Sequence, residues 1–192
     1  TFIFYPASGL GAAVRRFQAG ELHLTTDTPA DQFKGLKDKL GDQVRIGPYL
    51  ATYFLIINSA KPPFDDERVR RALSLQIDRE FIADRIWGGT MLPAYGVIPP
   101  HIGNYGERAE LDFRHASVLE REDEAKRLLA SAGFGSIPLQ VEFRFNTTDN
   151  NRHTAEAIAE QWRAIGVETR FVQTDFRTHF AYLRDGGDFD VA

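Results

Sequence analysis

Residues 139–172 constrain the fold more than any other part of this sequence. Residues 139–145 alternate apolar and polar side chains, which is the pattern of a strand with one buried face. Residues 155–165 then carry apolar side chains at helical spacing, and residues 167–172 are strand-like again. A strand, a helix and a second strand in this order place the two strands in parallel with a right-handed crossover. The sequence therefore predicts an α/β fold.

The rest of the chain alternates between helical and strand-like stretches in the same way. Apolar spacing predicts helices near residues 14–17, 33–40, 69–77, 81–86, 125–132 and 180–183. Alternating or β-branched stretches predict strands at residues 1–5, 21–25, 44–46, 52–57 and from residue 189 onward. Asp65 or Asp66 and then Asp78 are placed to cap two of the helices. Residues 93–106 are rich in Pro and Gly and predict a long irregular loop.

Composition narrows the class of protein. The chain has 192 residues, of which 43% are hydrophobic and 26% charged, which suits one domain or at most two small ones. The net charge of −4 lacks the basic excess of a nucleic-acid binder, so no nucleic-acid partner is expected. No apolar run approaches the roughly 18 residues of a membrane span. With no cysteine, disulfide bonds and thiolate chemistry are excluded.

The residues that support catalysis or metal binding do not assemble into a recognisable pattern. None of the five histidines is paired at the spacing of a zinc helix, and no nucleophile elbow is present. Gly9 and Gly11 resemble the start of a dinucleotide fingerprint, but Val14 stands where Gly or Ala is needed. We therefore expect no metal, no cofactor and no enzyme activity.

Long ordered motifs carry a more specific signal. They lie at residues 19–22, 48–58, 61–66, 69–73, 78–79, 92–95, 98–100, 124–129, 132–134, 146–149, 161–162, 166–167 and 187–192. In this order they resemble the extracytoplasmic peptide-binding proteins of ABC importers, the dipeptide and oligopeptide group. The resemblance covers nearly the whole chain. The variants at residues 62–64, 92–95 and 146–149 look most like the oligopeptide branch.

The resemblance implies a particular architecture. It predicts a single lobe of a type II periplasmic-binding-protein fold, with a mixed sheet flanked by helices. Residues 1–192 are expected to form one ligand-binding lobe, the C-terminal one, of a longer two-lobe protein. The resemblance also implies a periplasmic, exported protein whose signal peptide is not in this fragment.

The resemblance also implies a function without catalysis. Such a protein binds oligopeptides in the cleft between two lobes and delivers them to a permease. The implied partners are a peptide ligand, the missing first lobe of the same chain and an ABC permease in the membrane. The alternatives are transport of another solute (a murein peptide, an opine, glutathione or a nickel complex) or a peptide sensor. A further alternative is an enzyme with a nucleotide or acyl substrate.

The first candidate ligand residues are Thr26, Asp27 and Thr28. They follow a predicted strand, and the resemblance places them at a position facing the cleft. Strand ends and the loops after them are the natural suppliers of hydrogen bonds to a ligand. The alternative is an ordinary turn held by an Asx-type hydrogen bond.

A second candidate group follows the predicted strand at residues 139–145. The resemblance places Asn151 where relatives present a side chain to the ligand, and Asn146 belongs to the same stretch. Asp149 or Asn150 is expected to cap the next helix, which is compatible with a ligand role for the neighbouring residues.

The last candidates are Arg184, Arg177, Ile56 and Asn58. Arg184 matches an arginine that can meet a peptide carboxylate or carbonyl, because its fork binds carboxylate in a bidentate manner. The alternative for Arg184 is a solvated cation at a helix end. Arg177 stands where many relatives carry an aromatic residue, and Ile56 where some carry an acid. Both departures affect peptide length and side-chain preference. Asn58 ends the motif of residues 48–58 and completes the predicted set.

Overall fold

The computed structural model of this chain describes residues 1–7, 9–47, 49–100 and 102–192. Pro48, the first residue of the longest motif, and His101 therefore lie outside the described residues. The helices are α1 (Leu10–Gln18), α2 (Phe33–Leu40), α3 (Glu67–Gln76), α4 (Arg79–Phe81, continued by a π-helical turn Ile82–Ile86), α5 (Val118–Leu129, continued by a π-helical turn Ala130–Phe134), α6 (Asp149–Arg163) and α7 (Phe176–Arg184). The strands are β1 (Leu139–Asn146) and β2 (Val167–Thr174).

The sheet confirms the predicted strand-helix-strand unit. β1 and β2 are parallel, and their register runs from Leu139 opposite Val167 to Asn146 opposite Thr174. Gly166 joins α6 to β2 with φ at 82°, a left-handed conformation that glycine adopts without strain.

A third and a fourth segment extend this sheet through isolated pairings. Val191 pairs in parallel with Phe143 on one side and antiparallel with Ile57 on the other. The order across the sheet is therefore residue 57, residue 191, β1 and β2. The sheet is mixed and lies between helices, as predicted.

The main core lies on one face of β1. Leu139, Val141, Phe143 and Phe145 all point to this face and are buried. Trp162 of α6 packs on them, with its ring centroid 5.6 Å from that of Phe143. Full burial stabilises each such side chain by roughly 1.5–3 kcal/mol, so this stripe holds the helices to the sheet.

The carbonyl end of α3 is closed by side chains from α4, α5 and α6. The indole nitrogen of Trp162 donates to the Leu73 carbonyl at 2.9 Å. Arg79 and Arg121 both donate to the Ile77 carbonyl, each at 3.0 Å. Because the last carbonyls of a helix have no partner within it, these contacts satisfy groups that would otherwise be buried unpaired.

A second, smaller hydrophobic cluster lies apart from the main core. Val14, Leu36 and Val44 are its buried members, and Phe33 and Leu40 pack against it. The amino-terminal helices α1 and α2 therefore share a core of their own.

Helix starts follow the predicted chemistry. Asp66 accepts from the Arg68 amide at 2.8 Å and caps α3, and Asp78 accepts from the Phe81 amide at 2.9 Å.

None of the helices in the described ranges is long and apolar enough to span a bilayer.

The strands predicted at residues 1–5, 21–25 and 44–46 are wrong for this structure, and the strand predicted at residues 52–57 is reduced to a pairing at its end. The described residues of these segments form no ladder, and only Ile57 makes a bridge. A strand needs a partner for its backbone groups, and alternation along one segment does not supply one. Several apolar side chains there are exposed, as at Phe2 (93%) and Phe4 (90%). The irregular loop at residues 93–106 is confirmed for its described residues.

The substitution Trp162→Phe tests the closure of α3. It removes the indole donor from the buried Leu73 carbonyl and leaves a gap in the core. We expect the free energy of unfolding to fall by about 2–4 kcal/mol in urea denaturation. Tyr49→Phe is the control, because its ring is 86% exposed and should change stability by less than about 0.5 kcal/mol. Equal effects would contradict this account.

Candidate functional site

Polar side chains of β1 face helix α7 on one side of the sheet. The core stripe of β1 faces one way, so Glu142, Arg144 and Asn146 point to the opposite face of the sheet. α7 lies against β1 on that side. The Arg144 guanidinium sits 4.0 Å from the centre of the Tyr182 ring of α7, which is close enough for a cation–π contact.

An asparagine pair lies where β1 ends and α6 begins. The side-chain amide of Asn151 donates to the side-chain oxygen of Asn146. Thr148 caps α6 by accepting from the Asn151 amide at 3.2 Å. The expected caps, Asp149 and Asn150, are therefore wrong. The structure brings Asn146 and Asn151 together at one edge of the sheet, where their amide groups can offer both donors and acceptors.

α7 carries the two candidate arginines, and one of them, Arg177, lines an open groove. The groove has a volume of about 590 Å³ and is lined by Arg177, Thr178, Ala181, Tyr182, Asp185 and Gly187. Arg184 lies at the end of α7, where its Nε donates to the Asp185 carboxylate at 3.0 Å. Both arginines are exposed. The prediction of a solvated cation at a helix end describes Arg184 in this structure, and a ligand role stays a prediction.

The start of α7 is fixed by its cap. The Asp175 carboxylate accepts from the Thr178 amide at 3.1 Å and from the Thr178 hydroxyl. These hydrogen bonds hold the pKa of Asp175 below its ordinary value, because they stabilise the charged form. Since Asp175 directly follows β2, the cap places α7 at the same sheet edge as the asparagine pair.

The end of α7 is tied to residues 187–192, the return segment that leads from α7 back to the sheet. The Tyr182 hydroxyl donates to the Asp188 carbonyl at 2.7 Å. Gly187 lies against the same ring, and a Cβ there would fall 2.2 Å from a ring carbon. Only glycine therefore lets the chain turn this closely under Tyr182.

A lysine and two aspartates hold the return segment in place. The Lys61 ammonium lies 2.8 Å from both Asp188 and Asp190, whose hydrogen bonds raise the pKa of the lysine. Asp190 also accepts from the Glu142 amide of β1 at 2.8 Å. Because the Asp190 side chain is only 13% exposed, this contact is better shielded from solvent than the one to Asp188, whose side chain is 78% exposed.

Asn58 and Ile56 face the return segment with their polar groups. The Asn58 side chain donates to the Phe189 carbonyl at 3.1 Å, and its backbone amide donates to the Asp190 carbonyl at 2.9 Å. Ile56 exchanges two backbone hydrogen bonds with Ala192, and its side chain is partly exposed. The Asn58 amide thus has a structural partner. A ligand role for either residue stays a prediction.

The nine predicted ligand residues do not form one cluster. Asn58 is level with Asp190 and Glu142 in the sheet. Asn146 lies four residues beyond Glu142, which is an offset of roughly 13 Å along the direction of β1 at 3.3 Å per residue. Thr26 donates to Asp27 at 3.1 Å, which is a local contact. In the part of the chain that the structure describes, no hydrogen bond or ion pair joins residues 26–28 to the other candidates.

Sequence reasoning missed the residues that hold these candidates in place. Lys61 and Asp190 both belong to motifs of the sequence, but the motifs do not indicate that the two side chains contact each other. Arg144 and Tyr182 had no signal in the sequence, because their contact depends on how α7 lies on β1. The described residues contain no group of three or more side chains suited to a metal.

The substitution Asp190→Ala tests the anchor of the return segment. It leaves the Glu142 amide without its acceptor, so we expect the free energy of unfolding to fall by about 1–3 kcal/mol. Asp188→Ala removes the other carboxylate from the same lysine and is the matched control. Because Asp188 is exposed, its loss should cost less than about 1 kcal/mol. Urea denaturation of both variants measures their free energies of unfolding. A larger loss of stability in Asp188→Ala than in Asp190→Ala would contradict the account.

Comparison with known protein families gives one match over nearly the full chain. Residues 2–192 match the family model described as bacterial extracellular solute-binding proteins, family 5 Middle.

Curated relatives share this similarity over part of their own length. The chain is 36% identical over 192 residues to the periplasmic oligopeptide-binding protein OppA of Escherichia coli. It is 32% identical over 190 residues to the periplasmic murein peptide-binding protein MppA of the same species. Each alignment covers 98% of this chain and 35% of the relative, so the chain spans about a third of the length of these relatives.

Solved structures agree in fold. The structure of Haemophilus influenzae OppA in complex with RPPGFSPFR matches with a TM-score of 0.86 and 30% sequence identity. That match covers 96% of this chain and 37% of the other. OppA of Burkholderia pseudomallei matches with a TM-score of 0.90 and 30% identity, over 97% of this chain and 37% of the other.

Proposed function

The chain belongs to family 5 of the bacterial extracellular solute-binding proteins, and on that premise we propose that it forms one side of a peptide-binding cleft. The observation that carries the proposal is the exposed surface of α7 beside the asparagine pair. Arg177 in the groove and Arg184 at the exposed end of α7 offer guanidinium groups, and Asn146 with Asn151 offers amide donors and acceptors. Relatives of the same fold are named as oligopeptide-binding and murein peptide-binding proteins.

The chemistry of this surface fits a peptide whose sequence varies. A peptide backbone brings carbonyls, amides and a terminal carboxylate, which all need hydrogen-bond partners once they leave water. Arginine pairs with carboxylate through two parallel hydrogen bonds. An open groove of about 590 Å³ leaves room for water around the ligand's side chains, and water-mediated contacts tolerate different side chains.

The proposed role is binding for delivery, without a chemical step. The family consists of extracellular solute-binding proteins, and the curated relatives are named periplasmic. The finer proposal is that this protein is exported to the periplasm and passes its peptide to an ABC permease. Hinge closure of two lobes around the ligand would present the loaded form to that partner.

The proposed partner of the exposed apolar side chains near the amino terminus is a first lobe of the same protein. We propose that residues 1–192 supply one ligand-binding lobe, and that other parts of the same protein cover its exposed apolar side chains. The exposed side chains in the amino-terminal region include Phe2, Ile3, Phe4, Ile46, Tyr49, Leu50 and Phe54. Monomeric proteins rarely leave so many large apolar side chains uncovered in neighbouring segments. The separate cluster of Val14, Leu36 and Val44 belongs to the same amino-terminal region.

Peptide binding is tested with arginine variants of the protein at its full natural length. Isothermal titration calorimetry with alanine tripeptide, tetrapeptide and pentapeptide measures affinity for wild type and for Arg184→Ala. Loss of a charge-assisted hydrogen bond should weaken binding about tenfold or more.

Arg163→Ala is the matched control for that experiment. Arg163 is an exposed arginine at the end of α6 that pairs with Glu160, as Arg184 pairs with Asp185 at the end of α7. Its removal should leave affinity unchanged. Equal losses in the two variants, or no binding of any peptide to the wild type, would contradict the proposal.

The partner lobe is tested by hydrogen exchange. Backbone amides of residues 1–5 and 52–55 should exchange quickly in the 192-residue chain and become protected in the full-length protein, because they gain partners there. Amides of β1 should be protected in both. Fast exchange of residues 1–5 and 52–55 in the full-length protein would show that nothing covers them.

A further inference from the structure

His179 is a buried histidine on the inner side of α7 that the proposed function does not use. Its side chain is 6% exposed, and its Nδ1 atom has no hydrogen-bond partner in the described ranges. Its ring lies edge-on to Phe180, with centroids 5.0 Å apart. A buried polar atom without a partner needs an explanation, because such atoms are rare in folded proteins.

The charges facing His179 from the sheet are mainly positive. Arg144 of β1 is 12% exposed at its side chain and lies between the sheet and the Tyr182 ring. Its guanidinium donates to the Glu142 carboxylate at 2.9 Å, and Arg170 of β2 pairs with the same carboxylate. One carboxylate therefore already serves two guanidinium groups, so it has little capacity to balance a third cation at His179.

The acidic groups on the other elements around α7 also have partners. These pairs are Asp175 with Thr178, Asp185 with Arg184, and Asp188 with Lys61. Asp190 pairs with the same lysine, and the Tyr182 hydroxyl donates to the Asp188 carbonyl. A proton added to His179 would therefore meet burial and the Arg144 charge, while Asp185, Asp188 and Asp190 already pair with cations and Asp175 is held by Thr178 at the start of the helix. Both effects lower the pKa of His179, burial more than Arg144.

We propose that His179 is a positioning residue for α7, and that its protonation loosens this helix from the sheet and weakens ligand binding in acid. The second part rests on the proposed function, because it requires Arg177 and Arg184 of the same helix to contact the ligand. In its neutral form the ring packs on the buried side of α7, edge-on to Phe180, and needs no charge partner there. The protonated ring is repelled by Arg144 and is better solvated in water than in the protein interior. Both effects favour a state in which α7 has moved away from the sheet.

The direction of the pH effect follows from linkage. A histidine whose pKa is lower in the docked state than in the open state stabilises docking only while it is neutral. That stabilisation is complete well above the ordinary histidine pKa of about 6.5 and is lost progressively as pH falls below it. Ligand affinity should therefore decrease on acidification, while α7 becomes more open.

The binding test compares three forms of the full-length protein at about pH 7.5 and about pH 5. The probe is the tightest binder among the alanine peptides, measured by calorimetry. We expect affinity of the wild type to fall about fivefold or more, a common strength of coupling between sites. His179→Gln cannot gain a proton and should show a flat response. His115→Gln, which changes an exposed histidine far from α7 in the sequence, should behave like wild type. A fall of equal size in His179→Gln overturns the proposal.

A second measurement needs no substitution and does not depend on ligand binding. Hydrogen exchange of the wild type at both pH values, corrected for the intrinsic pH dependence of exchange, compares amides of α7 with those of α6. The proposal expects α7 to lose protection relative to α6 in acid, and unchanged relative protection overturns it. Absence of peptide binding at both pH values would contradict the proposed function, whereas the exchange of α7 would still decide the role of His179.

Discussion

The candidate site depends on the pairing of one buried residue, Val191, with two other segments. Val191 is completely buried and pairs with Phe143 of β1 on one side and with Ile57 on the other. These pairings place residues 56–58 and the return segment in the same sheet as β1, although they lie far apart along the chain. Lys61 and Asp190 add a polar contact next to this pairing. A sheet built only from β1 and β2 would leave both segments free to move.

α7 is fixed at both of its ends, and the Val191 pairing accounts for one of them. Asp175 caps the helix directly after β2, and Tyr182 binds the segment that leads to Val191. Between these two points the helix lies on the polar face of β1, with His179 inside and Arg177 and Arg184 outside. A helix held in this way presents the same groups to each ligand, which reduces the ordering cost of binding. The surface can also respond as a unit if the inner face changes charge.

Local pattern predicted the parts of this fold that depend on local interactions. The β1, α6 and β2 unit, the caps Asp66 and Asp78 and the end of α6 at Gly166 are all confirmed. The strands predicted at residues 1–5 and 21–25 are wrong, because a strand also needs a neighbour that one segment's pattern cannot supply. The contact of Arg144 with Tyr182 had no signal either, since it joins residues 38 positions apart through tertiary packing. The ligand roles of Asn146, Asn151 and Arg184 stay predictions.

The central claim is that this chain supplies one side of a cleft that captures peptides. Native mass spectrometry tests it most directly, with the full-length protein purified gently from its host beside the 192-residue chain. The account predicts a ladder of added masses that match short peptides on the full-length protein, and none on the chain alone. A full-length protein that carries no peptide and does not bind added tripeptides to pentapeptides would contradict the claim, as would one discrete added mass that is not a peptide.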